Sequence, residues 1–104
     1  MVKVVYVVSL ARKWDIIGVF DDIDKMVNAT VEELESCEYW DIIVEWYCDD
    51  NGIDYYAVYD DEDFDYDAFN DAVRKYAKMN LKRDKTFLDE YYSIEAFYLN
   101  NETT

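Results

Sequence analysis

From Met26 to Val73 the chain runs for 48 residues without one basic side chain, and the same stretch carries 16 Asp and Glu. No compact fold can bury that many unpaired carboxylates, because each would lose its hydration without a compensating partner. The acids must therefore lie outward, and any core from this stretch must come from the residues between them. Apolar material is plentiful there, since Tyr39, Trp40, Trp46, Tyr47, Tyr55, Tyr56, Tyr59, Phe64 and Tyr66 are interleaved with the acids. A disordered acidic tail would lack aromatics, so the pattern predicts ordered structure with carboxylates at fixed spacing. Outside the stretch nine acids face ten bases. The chain reads as a nearly neutral α+β frame carrying one acidic segment.

The total of −15 over 104 residues narrows the function classes. The length suits a single domain over 1–104. A strongly negative surface repels nucleic acid and anionic membrane, so neither is expected as a direct partner, and a basic protein surface is. With no His, the chain lacks the commonest general base and metal ligand. Cys37 and Cys48 do not make a zinc site. They lie eleven residues apart and could pair, but two thiols in such a chain read as small buried hydrophobes of a reduced, cytoplasmic protein. Asp61, Asp63 and Asp65 match calcium-loop positions 1, 3 and 5, yet Tyr66 stands where the glycine belongs and Ala72 where the bidentate Glu belongs. Two Gly cannot build a glycine-rich phosphate loop. No carboxylate pair stands out as an acid–base couple. The sequence predicts no enzyme, no cofactor and no metal. The apolar run near the N-terminus lacks a small-residue cleavage site, and nothing approaches a membrane span.

Along the chain, Val2–Ser9 is β-branched and aromatic with apolar residues on both parities, which predicts a central strand. After a polar break at Ala11-Arg12-Lys13, Trp14–Phe20 predicts an antiparallel partner. Asp21-Asp22 offers an N-cap for a helix to about Ala29. Thr30 and Glu33 fit a capping box, extending helix to about Cys37 as two short helices or one kinked one. Trp40, Ile42, Val44, Trp46 and Cys48 alternate with their neighbours, and Asn51-Gly52 follows. This predicts a hairpin in which Cys48 faces Tyr55, Trp46 faces Ala57 and Val44 faces Tyr59. Tyr47 would face Tyr56, and Asp49 would face Asp54 as an unfavourable like-charge pair. A helix is expected from Asp65 or Tyr66 to Lys82, with Phe69, Ala72, Val73, Tyr76 and Met79/Asn80 on one face. Residues 84–92 read equally as helical turn or loop. Ser93–Leu99 predicts a last strand, and Asn100–Thr104 a frayed tail. The expected fold is α+β, ββαββαβ, a mainly antiparallel sheet of about five strands with two to three helices.

Two stretches carry a resemblance. Tyr6-Val7-Val8-Ser9 followed by Asp15-Ile16-Ile17-Gly18-Val19-Phe20-Asp21-Asp22, with Ser93-Ile94-Glu95-Ala96-Phe97, is similar to the opening hairpin and closing strand of many small phage-encoded proteins. That group has no agreed function, so the resemblance implies a fold and assigns no site residue. By composition alone the chain also resembles phage DNA-mimic proteins, small acidic inhibitors of restriction enzymes, CRISPR nucleases, repair glycosylases or histone-like proteins. Sixteen carboxylates equal the charge of about eight base pairs of duplex. The resemblance implies an inhibitor acting in the infected bacterial cell. Its candidate contacts are Asp49, Asp50, Asp54, Asp60, Asp61, Glu62 and Asp63 at the hairpin tip and the loop beyond. Glu45, Tyr47 and Tyr56 are the candidates on the hairpin's polar face, with Glu32, Glu35 and Glu38 extending the line. The competing expectation is an interaction module, possibly homodimeric, that uses a sheet edge or aromatic patch, with the charge incidental.

Overall fold

The computed structural model describes residues 2–11 and 15–100. Strands β1 (Val2–Leu10), β2 (Ile16–Phe20) and β3 (Tyr92–Asn100) form an antiparallel sheet in the order β2-β1-β3. The double-parity apolar run in β1 thus occupies the centre, as its pattern predicts. β1 pairs with β3 along its whole length, from Val2↔Asn100 to Leu10↔Tyr92. It pairs with β2 only from Tyr6↔Phe20 to Ser9↔Ile16, with an irregularity after Val8. The ends of β1 and β3 therefore run past β2 as a two-stranded ribbon. Tyr6, Val8, Leu10, Phe20, Tyr92 and Ile94 share the inner face and join the core. The Phe20 ring lies over Gly18, where a Cβ would come within 2.5 Å of it.

Four helices are described: α1 (Ile23–Glu35), α2 (Trp40–Asn51), α3 (Tyr55–Asp60) and α4 (Tyr66–Arg83). Asp22 caps α1 by accepting the amides of Asp24 and Lys25. The helix then buries Met26, Val27, Thr30, Val31 and Leu34, a stripe at helical spacing. α4 runs antiparallel to α1 and buries Val73, Ala77 and Leu81. Two ion pairs tie them: Lys82 to Asp24 at 2.8 Å, and Arg74 to Glu35 at 2.6 Å. α2 adds Ile43, Val44 and Cys48 to the same core, and Leu88 closes it from the turns between α4 and β3. The extents are 64 × 26 × 19 Å and the radius of gyration 16.3 Å, against about 13 Å for a compact domain of this length.

The largest difference from expectation is the middle of the chain. Residues 40–60 form α2 and α3, not a hairpin, so the sheet has three strands where about five were expected. None of the predicted cross-strand pairs exists: Cys48 with Tyr55, Trp46 with Ala57, Val44 with Tyr59, Tyr47 with Tyr56 and Asp49 with Asp54 all belong to successive helices and their caps. Gly52 adopts φ 66°, ψ 30°, and ends α2. The amide of Ile53 bonds the Cys48 carbonyl at 2.8 Å and that of Gly52 bonds Asp49 at 3.4 Å, a Schellman motif.

Smaller corrections follow the same logic. Thr30 is not a cap: it is buried inside one continuous α1, and its hydroxyl donates to the Met26 carbonyl at 2.7 Å. Met79 is exposed, and the buried face of α4 turns toward Ala77 and Leu81. Of the two readings left open for residues 84–92, the structure shows turns over 85–91, and Asn100 ends β3 rather than starting a tail. The expected strand start at Trp14, the Arg12-Lys13 break and the tail at 101–104 lie outside the described residues. Both cysteines are free thiols.

Candidate functional site

The site grows from the helical phase of α2. Ile43, Val44 and Cys48 point into the core, so Asp41, Glu45 and Asp49, four residues apart, share the opposite, exposed face. Four helical residues rise about 6 Å, so three carboxylates stand in a row along the helix. Gly52 then turns the chain, and Asp54 starts α3 by accepting the Tyr56 amide at 3.1 Å. Tyr56 follows at 75% exposure. Asp60 ends α3, and Asp61, Glu62 and Asp63 form the exposed link to α4.

Glu45, Trp46 and Asp49 of α2, Asp54 at the cap of α3, and Tyr55 and Tyr56 of α3 line an open cleft of about 410 Å³, with Ile53 between them. Trp46 is held by an edge-on contact with Phe87, ring centroids 5.4 Å apart, and the Tyr55 and Tyr56 rings meet edge-on at 5.4 Å. Cys48, next to Asp49 in α2, is buried in the core. Burial pushes its thiol pKa up, and the charges of Asp49, Asp54 and Glu45 push it further.

The molecule's own bases sort the acids into two groups. On the α1–α4 side, Arg74 Nε donates to both Glu35 oxygens at 2.8 Å, Arg74 and Lys75 reach Asp71 at 3.5 Å, and Lys82 reaches Asp24. Hydrogen bonding from Arg74, with its positive charge, holds the Glu35 carboxyl below the usual range. Among the described residues, no Lys or Arg pairs with Asp41, Glu45, Asp49, Asp54 or the acids of 60–63.

The predicted contacts divide accordingly. Glu45, Asp49, Asp54 and Tyr56 come together around the cleft, and Asp60, Asp61, Glu62 and Asp63 follow from it along the chain. Glu32 and Glu38 are exposed on α1 and on the loop after it. Glu35 is already engaged by Arg74. Asp50 is engaged by Tyr76, whose hydroxyl donates to its carboxylate. Tyr47 faces inward and packs edge-on against Phe69 and Tyr76. Sequence reasoning missed Asp41 and the pocket role of Trp46 and Tyr55. The four-residue spacing of Asp41, Glu45 and Asp49 is the signal that would have found the first.

Several acids also have local structural duties. Asp22, Asp54, Asp61, Asp65 and Asp84 each accept a backbone amide two or three residues on. Of the calcium-like positions, Asp65 is thereby engaged as the N-cap of α4 and Asp61 in a local turn with the Asp63 amide. Among the described residues no three His, Cys, Asp or Glu converge to hold a metal ion, and no helix is long and apolar enough to cross a membrane. No known protein family matches the chain, and no curated protein or solved structure is detectably similar to it.

Proposed function

We propose that this chain is a non-enzymatic binding protein, an acidic phage inhibitor that occupies the basic nucleic-acid-binding groove of a host defence or DNA-processing protein. The observation that carries the reading is the conflict stored in α2. Asp41, Glu45 and Asp49 repel one another at four-residue spacing, and Asp49 and Asp50 sit at the helix end that prefers cations. Among the described residues no base relieves the row. Both helices carry an acid in the first turn, Asp41 in α2 and Asp67 in α4, but only α4 has bases, Lys82 and Arg83, in its last turn. Asp41 at the helix start and Asp50 beneath the Tyr76 hydroxyl have compensating partners, but Glu45 and Asp49 cost stability with none among the described residues, a local conflict that use would explain. Carboxylates of the row would pair with groove Arg and Lys in place of phosphates, giving fast, salt-sensitive association.

The test is affinity capture from a bacterial lysate at low ionic strength, then elution with rising salt. A nucleic-acid-binding protein should elute, and the triple variant Asp41→Lys, Glu45→Lys, Asp49→Lys should capture none. Asp50 and Asp54, also candidate contacts by sequence, are left in place because they hold the fold, Asp50 through Tyr76 and Asp54 as the cap of α3. Capture that persists in the triple variant at high salt would reject the reading.

A second reading has its own observation. The outer sheet face exposes Ile16, Val19 and Phe97, and Tyr98 of the ribbon is 71% exposed. A module binding by this face, to itself or another protein, would lose its partner on Val19→Asp or Phe97→Asp and keep it when α2 is reversed.

A further inference from the structure

We propose that the cleft between α2 and α3 is a receptor for one arginine side chain of a basic protein. The proposal rests on the reading that the acidic helices meet a basic partner, and it names the anchor of that contact. The cleft is concave and aromatic-walled: Trp46, Tyr55 and Tyr56 stand beside Glu45, Asp49 and Asp54. Its size, about 410 Å³, falls in the range of roughly 300–1,000 Å³ typical of small-ligand sites.

The lining chemistry selects the occupant by elimination. An anion is repelled by three carboxylates. A neutral apolar group would strip water from those carboxylates without replacing it. A bare divalent cation needs convergent oxygens, which the described carboxylates do not supply. An organic cation satisfies both halves of the lining, since its charge meets the acids while its surface lies on the rings. Between the two side-chain cations, guanidinium fits better. It is planar, stacks on aromatic faces, is more weakly hydrated than ammonium and can bond a carboxylate through two N–H groups. The upward push on the Cys48 thiol, to which burial and then Asp49, Asp54 and Glu45 contribute, agrees with the charges of these three acids acting on one region.

The experiment is calorimetric titration of the whole protein with an octa-arginine peptide and, separately, an octa-lysine peptide, at equal ionic strength. Octa-arginine should bind about tenfold tighter, a difference of about 1.4 kcal/mol. Trp46→Leu and Tyr56→Ser should each remove that difference while leaving a weaker, charge-driven affinity for both peptides. Tyr56 is solvent-exposed, so its variant remains informative if Trp46→Leu loosens the fold through Phe87. Equal binding of the two peptides, or an arginine preference that survives Tyr56→Ser, overturns the arginine site and leaves the acidic-surface reading standing. If neither peptide binds at low salt, both readings are overturned.

Discussion

At the scale of single residues, the acids of this protein divide by the atoms they touch. Glu35 is the clearest paired case. Its carboxyl is held below the ordinary value of 4.5, first by the hydrogen bond from Arg74. A depressed folded-state pKa means stability that is present above the unfolded value and lost as the pH falls through the folded pKa. Acid titration of the wild type should therefore show part of its stability disappearing below about pH 4.5. Glu35→Gln should lose on the order of 1 kcal/mol at neutral pH, a modest figure because the pair is about one-third exposed. Chemical denaturation across pH measures both. The alkaline limb has the opposite sign. Burial raises the Tyr92 hydroxyl above its usual 10 and the Cys48 thiol above its usual 9. The unfolded chain then ionises first, so stability present below those values is lost as the pH rises past about 9–10. Tyr92→Phe should flatten that loss, although it also removes the contact with Cys37 Sγ at 3.5 Å. Gly52 offers a third test. Its positive φ with open space around it means that Gly52→Ala clashes with nothing and is strained only in its own backbone. The expected cost is about 1 kcal/mol by denaturation.

At the scale of elements, the frame was legible and the middle was not. β1, β2, β3, the Asp22 cap of α1 and the whole of α4 stand close to where their patterns place them, because each pattern has one physical reading. Residues 40–51 admit two. Apolar side chains at 40, 42, 44, 46 and 48 alternate as a strand would, but Ile43 and Tyr47 are apolar too. Adding them gives a helical stripe, and the acids at 41, 45 and 49 then fall on its back. Charges were the better guide, since an acid cannot easily turn inward while an aromatic tolerates either environment. Asn51-Gly52 misled for a related reason. A tight hairpin and a helix terminus both call for positive φ, and glycine supplies it to either. Glu45, Asp49, Asp54 and Asp60 stay exposed around the cleft or along α3 despite the wrong element, because exposure of a carboxylate does not depend on the secondary structure beneath it. Tyr47 lost its place because the face of an aromatic does. The α2 conflict yields a prediction at this scale. Asp49→Lys should raise stability by about 0.5 kcal/mol, through relief of repulsion at i−4 and a favourable charge at the helix end. The same variant should weaken capture of the basic partner, and thermal melts beside capture assays would show the two moving in opposite directions.

At the scale of the whole molecule, −15 charges on 104 residues impose a self-repulsion that only some are positioned to offset. Added salt should screen the unpaired acids of α2, α3 and the 60–63 link more than it weakens the few ion pairs of α1 and α4. The melting temperature should therefore rise with sodium chloride, while the affinity for a basic partner falls. A melting temperature that drops with salt would show that the ion pairs outweigh the repulsion. The long register between β1 and β3 bears on something else, the order of events during synthesis. The central strand leaves the ribosome well before its full-length neighbour, which begins only at Tyr92. Until then β1 has only β2 as a strand partner, and only from Tyr6 onward. So high a contact order slows folding and leaves an apolar strand unsheltered while the chain is still growing. Nascent chains halted before Tyr92 should expose β1 to chaperones.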